Sequence, residues 1–399
     1  MGWGAPDRRE RGRRRLLRAV IVLVGVLVAV FVAAAWYVSS LLIDGARIKD
    51  SSGDLPHRVI AAAAGSITLL MDTAPKDDPR SDAIAGVRLP SDAYLQVGAV
   101  EQVEGNEATR PVTRVFGSLP TRGSAAALES RYFPQDPLVG LGLDFTEVPI
   151  QTPLGSSPAW YVPGSSDTWA IYSHGLGGTR QDGLRMLPTT SALGLPTLLV
   201  TFRDDLVGQR EDGISNFGLT EWPDLEAAVR YALDHGARNV VLLAASTGAA
   251  VSMAFLENSD LADAVVAMAF DAPVTSLEQS TDLAAARTRL PVVGWPIPAP
   301  LIEAAKWLVE RRVLIDFTAT DYLSRAHRLD VPTLILHGSL DDINPLAASE
   351  TFAATAPEGV VRLEVFDGAA HVWSWNRDPA RYNRLLAEHL RSVTAPPAS

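Results

Sequence analysis

The sequence predicts an α/β protein: a mostly parallel sheet with helices on both faces, preceded by one membrane-spanning helix and a small β-rich module. Three observations carry this. Residues 19–38 read AVIVLVGVLVAVFVAAAWYV, a run of twenty without a charge. Between 41 and 165 short apolar stretches alternate with turn residues. From residue 167 onward, β-branched runs alternate with longer amphipathic stretches, which is the rhythm of βαβ crossovers.

The chain has 399 residues, enough for two or three domains of ~150 residues. Its 47% hydrophobic and 20% charged residues suit a packed protein, not a disordered one. Cys is absent, which excludes disulfides, thiolate metal sites and a cysteine nucleophile. The net charge of −11 argues against nucleic acid as a partner, because a phosphate backbone calls for a basic face. That charge is uneven. Residues 1–18 hold seven Arg against Asp7 and Glu10, a net of +5.

A run of twenty apolar residues spans a hydrocarbon core of ~30 Å as a helix. Trp36 and Tyr37 stand where an interfacial aromatic belt belongs. With the Arg cluster just before it, the helix (19–40) is expected to be a signal anchor in the cell membrane. The basic tail 1–18 then stays cytoplasmic and the remainder lies outside. A cleaved signal peptide is the alternative, with Ala33-Ala34-Ala35 as its cleavage site.

Within the β-rich module, 41–165, strands are expected near 58–64, 66–71, 83–87, 94–100 and 111–116, punctuated by Gly, Pro, Asp and Ser. From 166 to 395 strands are expected at 169–173, 196–202, 239–245, 264–270, 332–336 and 361–366. Helices are expected at 179–193, 222–235, 247–257, 347–356 and 378–392. In the second of these, Leu225, Ala228, Val229, Ala232 and Leu233 have the spacing of one buried face. The interval 272–330, between the strands expected at 264–270 and 332–336, is far longer than a crossover needs. It contains a Pro-rich patch at 290–298 and a helical pattern at 299–313, and is expected to form a lid or cap. Its Trp295, Ile297, Leu301, Trp307 and Leu308 either line a pocket or pack as core.

The chemistry begins at Ser246. The run Ala244-Ala245-Ser246-Thr247-Gly248 follows a buried strand and opens a helix, the form of a nucleophile elbow with Ala244 in place of the usual first Gly. Small residues on either side let strand and helix approach. The Thr247 N–H then faces a developing oxyanion. Seventy-two residues earlier His174-Gly175-Leu176-Gly177-Gly178 ends another strand and can aim the Leu176 N–H at the same point. His174 itself is expected to hold the loop. No phosphate-loop or dinucleotide pattern fits this stretch, and no cofactor or metal is expected. Two later strands deliver His337-Gly338-Ser339-Leu340-Asp341 and Asp367-Gly368-Ala369-Ala370-His371. They supply a general base, His371, and the acid that orients it, Asp341, with Asp342 as its rival.

Taken together, H-G-x-G-G, x-x-S-x-G, H-G-x-x-D and a late His, in this order, resemble the α/β-hydrolase superfamily over roughly 165–395. Residues 202–205, 220–222, 158–160 and 371–376 look like those of actinobacterial membrane-anchored serine hydrolases with a prolyl-oligopeptidase-like catalytic domain. The resemblance implies that Arg203 and Asp204 shape the site rim and that Glu221 and Trp222 open a helix. No seven- or eightfold repeat precedes the domain, so a β-propeller gate is excluded. The implied activity is hydrolysis of carboxylic esters through an acyl-enzyme, on a small-molecule ester, lipid or peptide. A serine peptidase, an acyltransferase and an inactive envelope-interaction module are the alternatives.

Overall fold

The structure is a computed structural model that describes residues 8–50, 53–90, 93–203, 205, 208–209, 211–290 and 294–394. The expected Pro-rich patch at 290–298 lies partly, and Asp204 wholly, outside the described residues. It forms two compact units, one holding helix α1 (Arg8–Gly45) with the segment Ala285–Leu314, the other holding both sheets.

The first sheet is all antiparallel. Its strands are β1 (His57–Ala63), β2 (Ser66–Leu70), β3 (Ala85–Arg88), β4 (Tyr94–Val97), β5 (Gln102–Glu104), β6 (Glu107–Phe116) and β7 (Ala125–Glu129). The order is β2-β1-β7-β3-β4-β6-β5, and β6 also pairs with β2, which closes six strands into a barrel with β5 on its rim. Closure removes the exposed edges that such short strands would otherwise present. Inside lie Val59, Ile67, Leu69, Val87, Leu95 and Val97. Arg110 is buried too, donating to the carbonyls of Ala83, Gly98 and Arg80 at 2.8 Å each. Burial pushes its guanidinium down to about 10.

A short helix, α2 (Pro137–Leu141), leads to the second sheet. Its strands and helices are β8 (Thr146–Thr152), β9 (Gly155–Val162), β10 (Thr168–Ser173), α3 (Leu187–Ala192), β11 (Thr197–Leu199), α4 (Trp222–Asp234), β12 (Asn239–Ala245), α5 (Thr247–Asn258) and β13 (Val265–Asp271). There follow α6 (Leu277–Arg287), α7 (Ala299–Arg312), α8 (Tyr322–Arg325), β14 (Thr333–Gly338), α9 (Leu346–Thr355), β15 (Val361–Phe366), α10 (Ser374–Arg377) and α11 (Pro379–Thr394). The order is β15-β14-β13-β12-β10-β11-β9-β8, parallel from β11 to β15, with β8 and β9 as an antiparallel edge hairpin. The β-rich module therefore ends at Glu129. Strands at 146–162 belong to the large sheet, against the expected boundary at 165. Their alternating burial looks the same in sequence whichever sheet they join.

Local chemistry explains the elements. β12 is buried on both faces, as its unbroken Val-Val-Leu-Leu-Ala-Ala run requires. α4 starts with Pro223 in its first turn and stops at Gly236 with φ 103°. The helix expected over 179–193 is instead a 3₁₀ turn, Arg180–Arg185, followed by α3. Pro188 cannot donate to, and clashes with, the carbonyl four residues back, so one continuous helix cannot form. The 272–330 interval is not one cap. It contributes α6, α7 and α8, and Ala285–Leu314 joins the unit of α1. There Leu301, Ile302 and Ala305 are buried with Ala35 and Val38, and Ile297 and Leu308 pack against them.

Candidate active site

Parallel pairing puts the C-terminal ends of β10, β12, β13 and β14 side by side. Ser173 stands opposite Ala244, Ala245 opposite Asp271, and Asp271 opposite Leu336. The loops that leave these ends gather the polar side chains at one edge of the sheet.

Ser246 occupies the turn between β12 and α5 at φ 50°, ψ −118°, a conformation few non-glycine residues adopt. Close packing enforces it. A Cβ on Gly248 would lie 2.3 Å from the Ser173 carbonyl, and one on Gly175 would lie 2.9 Å from the Ser246 Cβ. The strand therefore meets the helix with no room for a side chain at 248, and the Gly175 backbone lies against the serine. Ala244, the departure from the usual Gly, is fully buried.

His371, in the loop after β15, places Nε2 3.0 Å from Ser246 Oγ and Nδ1 2.8 Å from Asp341 Oδ2. Nδ1–H donates to the carboxylate, which leaves Nε2 free to accept from the serine hydroxyl. Asp341, and not the exposed Asp342, makes this contact. The Asp341 side chain is fully buried. Burial alone would raise its pKa, but hydrogen bonds from His337 and His371 hold it well below the usual carboxylate range. Its second oxygen accepts from the N–H groups of Ile343 and Asn344, both at 2.9 Å.

His337 was not singled out in the sequence, although it stands four residues before Asp341. Its Nε2 is 3.2 Å from Asp341 Oδ2 and 3.1 Å from the Asn344 carbonyl, and Nδ1 is 2.9 Å from Ser349 Oγ. Two acceptors around Nε2 identify it as the protonated nitrogen.

The oxyanion-loop candidates converge as well. The Leu176 N–H points at Thr247 Oγ1 over a long 3.4 Å, so its donor is weakly engaged. Gly177 turns the loop at φ 68°. His174 faces away, with Nδ1 2.9 Å from the Gly175 carbonyl and Nε2 3.1 Å from Asp205. Burial opposes its charge, but the Asp205 carboxylate outweighs burial and raises its pKa. Arg203 lines a small cavity with Gly175, Leu176 and Thr247. It grips Asp224 of α4 through Nε at 3.0 Å and Nη2 at 2.8 Å, and Glu211 through Nη1 at 2.9 Å. Glu221 likewise holds the loop before α4, accepting from Asn216 and Gly218 N–H.

A cleft of about 320 Å³ opens over Ser246 and His371. Part of its wall, the role given in sequence to the 272–330 insertion, comes from the barrel and its exit: Arg80, Leu128, Glu129 and Arg131. Arg131 Nε bonds Asp182 at 2.7 Å, and Asp182 in turn accepts from the Thr179 N–H that follows the glycine loop. Trp373, two residues past His371, is buried in the barrel core. Between them Val372 is held at φ 53°, its carbonyl accepting from Arg185 Nη1 at 2.8 Å. Arg185 lies 3.6 Å from Asp271, which ends β13. Among the described residues no three His, Asp or Glu side chains are gathered as a metal site.

Comparison with known proteins meets this geometry at the fold. Two crystal forms of the Pyrococcus furiosus esterase Pf2001 superpose with a TM-score of 0.50, at 17% and 18% identity, covering 66% of this chain and 98% and 95% of theirs. This chain has the α/β-hydrolase fold. A family model described as serine aminopeptidase, S33, matches residues 304–374 of this chain, the stretch that contains Asp341 and His371. A non-heme haloperoxidase of Rhodococcus erythropolis is 42% identical over 55 residues, 14% of this chain and 20% of the relative. A putative non-heme chloroperoxidase of Synechocystis is 38% identical over 74 residues, 18% of this chain and 25% of the relative. The alignment thus spans about a fifth to a quarter of the curated relatives.

Proposed function

We propose that the chain is a membrane-anchored serine hydrolase that cleaves carboxylic esters through an acyl-enzyme. The observation that carries this reading is the continuous relay from Ser246 Oγ to His371 Nε2, 3.0 Å, and from His371 Nδ1 to Asp341, 2.8 Å. Ser246 attacks the ester carbonyl as His371 takes its proton. Asp341 fixes the tautomer and stabilises the imidazolium. The N–H groups of Leu176 and Thr247 receive the oxyanion, the first exchanging its long bond to Thr247 Oγ1 for the charged oxygen. His371 then protonates the departing alcohol. Water, deprotonated by the same imidazole, releases the acid and restores the serine.

The anchor reading is supported by Gly12–Gly45, a stretch long and apolar enough to cross a membrane. With the arginines ahead of it, the positive-inside rule orients the catalytic unit outside the cell membrane. A peptidase is the second reading, favoured by the aminopeptidase match over 304–374. A p-nitrophenyl ester chain-length series run beside aminoacyl p-nitroanilides on the purified full chain decides between them. Faster ester turnover that is lost in Ser246→Ala is the expected result. Anilide turnover exceeding every ester selects the peptidase, and equal rates for wild type and Ser246→Ala overturn the hydrolase. Added acceptor alcohols that divert the acyl group from water would identify a transferase.

A further inference from the structure

The unit formed by α1 and Ala285–Leu314 carries apolar surface that the catalytic reading does not use. Leu301, Ile302 and Ala305 of α7 are buried against Ala35 and Val38 of α1. At the other end of α7, Arg312 donates to Ser39 Oγ at 2.6 Å and Ser40 Oγ at 2.9 Å, and its guanidinium lies 4.1 Å over the Trp36 ring. These contacts all fall on residues 35–40 of α1. That stretch rises about 7–9 Å at ~1.5 Å per residue, which is comparable to the depth of one headgroup layer. It begins one residue before the Trp36–Tyr37 pair, whose rings are themselves exposed.

The other side of this segment is uncovered. Trp307 is 53% exposed, Leu314 66% and Trp295 69%. Trp307 stands on α7, and Leu314 lies two residues beyond the end of the helix at Arg312. Arg311 stacks over the Trp307 ring at 3.6 Å. A Trp with its ring open to the surroundings and a cation alongside is the composition that settles at a membrane–water boundary, where the ring is partly desolvated and the charge meets phosphate.

We propose that α7 and residues 294–298 before it rest on the outer leaflet of the membrane that α1 spans, with Trp295, Trp307 and Leu314 seated among the lipid headgroups. The occupant is a phospholipid surface because the patch continues from the anchor at the depth where the anchor leaves the bilayer. The proposal rests on the reading of α1 as a membrane span.

The absence of Cys makes single-cysteine reporters unambiguous. Full-length protein carrying Leu27→Cys, Trp295→Cys or Trp307→Cys is labelled with bimane and reconstituted into phosphatidylcholine–phosphatidylglycerol vesicles. Each sample is then quenched by headgroup-proximal doxyl lipid and, separately, by aqueous iodide. The label at 27 is expected to be blue-shifted and silent to iodide. Labels at 295 and 307 are expected to lose most of their emission to the doxyl lipid and little to iodide. Labels at 295 and 307 that respond to iodide alone, while the label at 27 stays protected, overturn the docking and leave the anchor standing. Iodide quenching at 27 overturns both.

Discussion

Two carboxylates stand at the C-terminal ends of neighbouring strands, Asp271 in β13 and Asp341 in the loop after β14, and the side chains of both are fully buried. They differ in what surrounds them. Asp341, past β14, has His371, His337 and two backbone N–H groups within hydrogen-bonding distance, and is held far below the usual range. Asp271, at the end of β13, has no donor among the described residues within strict hydrogen-bond geometry of its carboxylate oxygens; the Ser374 and Tyr382 hydroxyls approach it more loosely, and Arg185 lies at 3.6 Å. Burial raises its pKa, against the opposing influence of Arg185, His371 and His337. Burial alone therefore does not decide whether an acid serves as the anion beside an imidazole. The number and aim of its donors do.

The largest effect that separates the two is catalytic. Asp341→Asn keeps the shape but favours the wrong His371 tautomer, and kcat for an ester is expected to fall about 10⁴-fold. Asp271→Asn is expected to change kcat by less than about tenfold, or ~1.4 kcal/mol. Equal losses in the two variants would erase the distinction. Next comes stability. Arg185→Met leaves Asp271 without its cation and is expected to cost about 3–5 kcal/mol in denaturant unfolding. Adding Asp271→Leu to that variant is expected to recover most of the loss, because the buried charge goes with it.

A smaller effect probes the donors of Asp341. His337→Phe removes one charge-assisted bond, worth roughly 1.5–3 kcal/mol, and kcat is expected to drop about 10- to 100-fold while KM for the ester holds. An unchanged kcat would show that His337 only fills space. The smallest effect concerns His174, whose partner is a third buried acid, Asp205. Its pKa is raised on folding, so its contribution to stability is complete below about pH 6.5 and is lost as pH rises through the folded value. The melting-temperature gap between wild type and His174→Gln is accordingly expected to be wider at pH 5.5 than at pH 9.

What could be read from the sequence is what local patterns encode. The rhythm of buried strands and amphipathic helices from β10 to α11 was legible, as were Ser246, Asp341 and His371, because each follows an apolar strand in a short loop of small residues. The barrel was legible only as β-rich. Its closure depends on β6 meeting β2, a pairing between distant segments that no periodicity announces. The same holds for the cleft wall. Trp373 enters the barrel core, and Arg131 reaches Asp182 across 51 residues, so neither contact leaves a trace in its own neighbourhood. The lid expected at 272–330 had the right helix, but what α7 packs on is set by apolar residues more than 250 positions away. For Arg203 the only reading available in sequence is the rim role that the family resemblance implies. Its grip on Asp224 depends on where α4 begins.

The relay itself is open to direct test. Full-length wild type and His371→Gln are each treated with a fluorophosphonate, and the adduct is located by peptide mass spectrometry. Stoichiometric phosphonylation of Ser246 in the wild type, lost in His371→Gln, is the predicted result. Labelling at a different serine, or labelling of Ser246 at the same rate without the imidazole, would contradict the account.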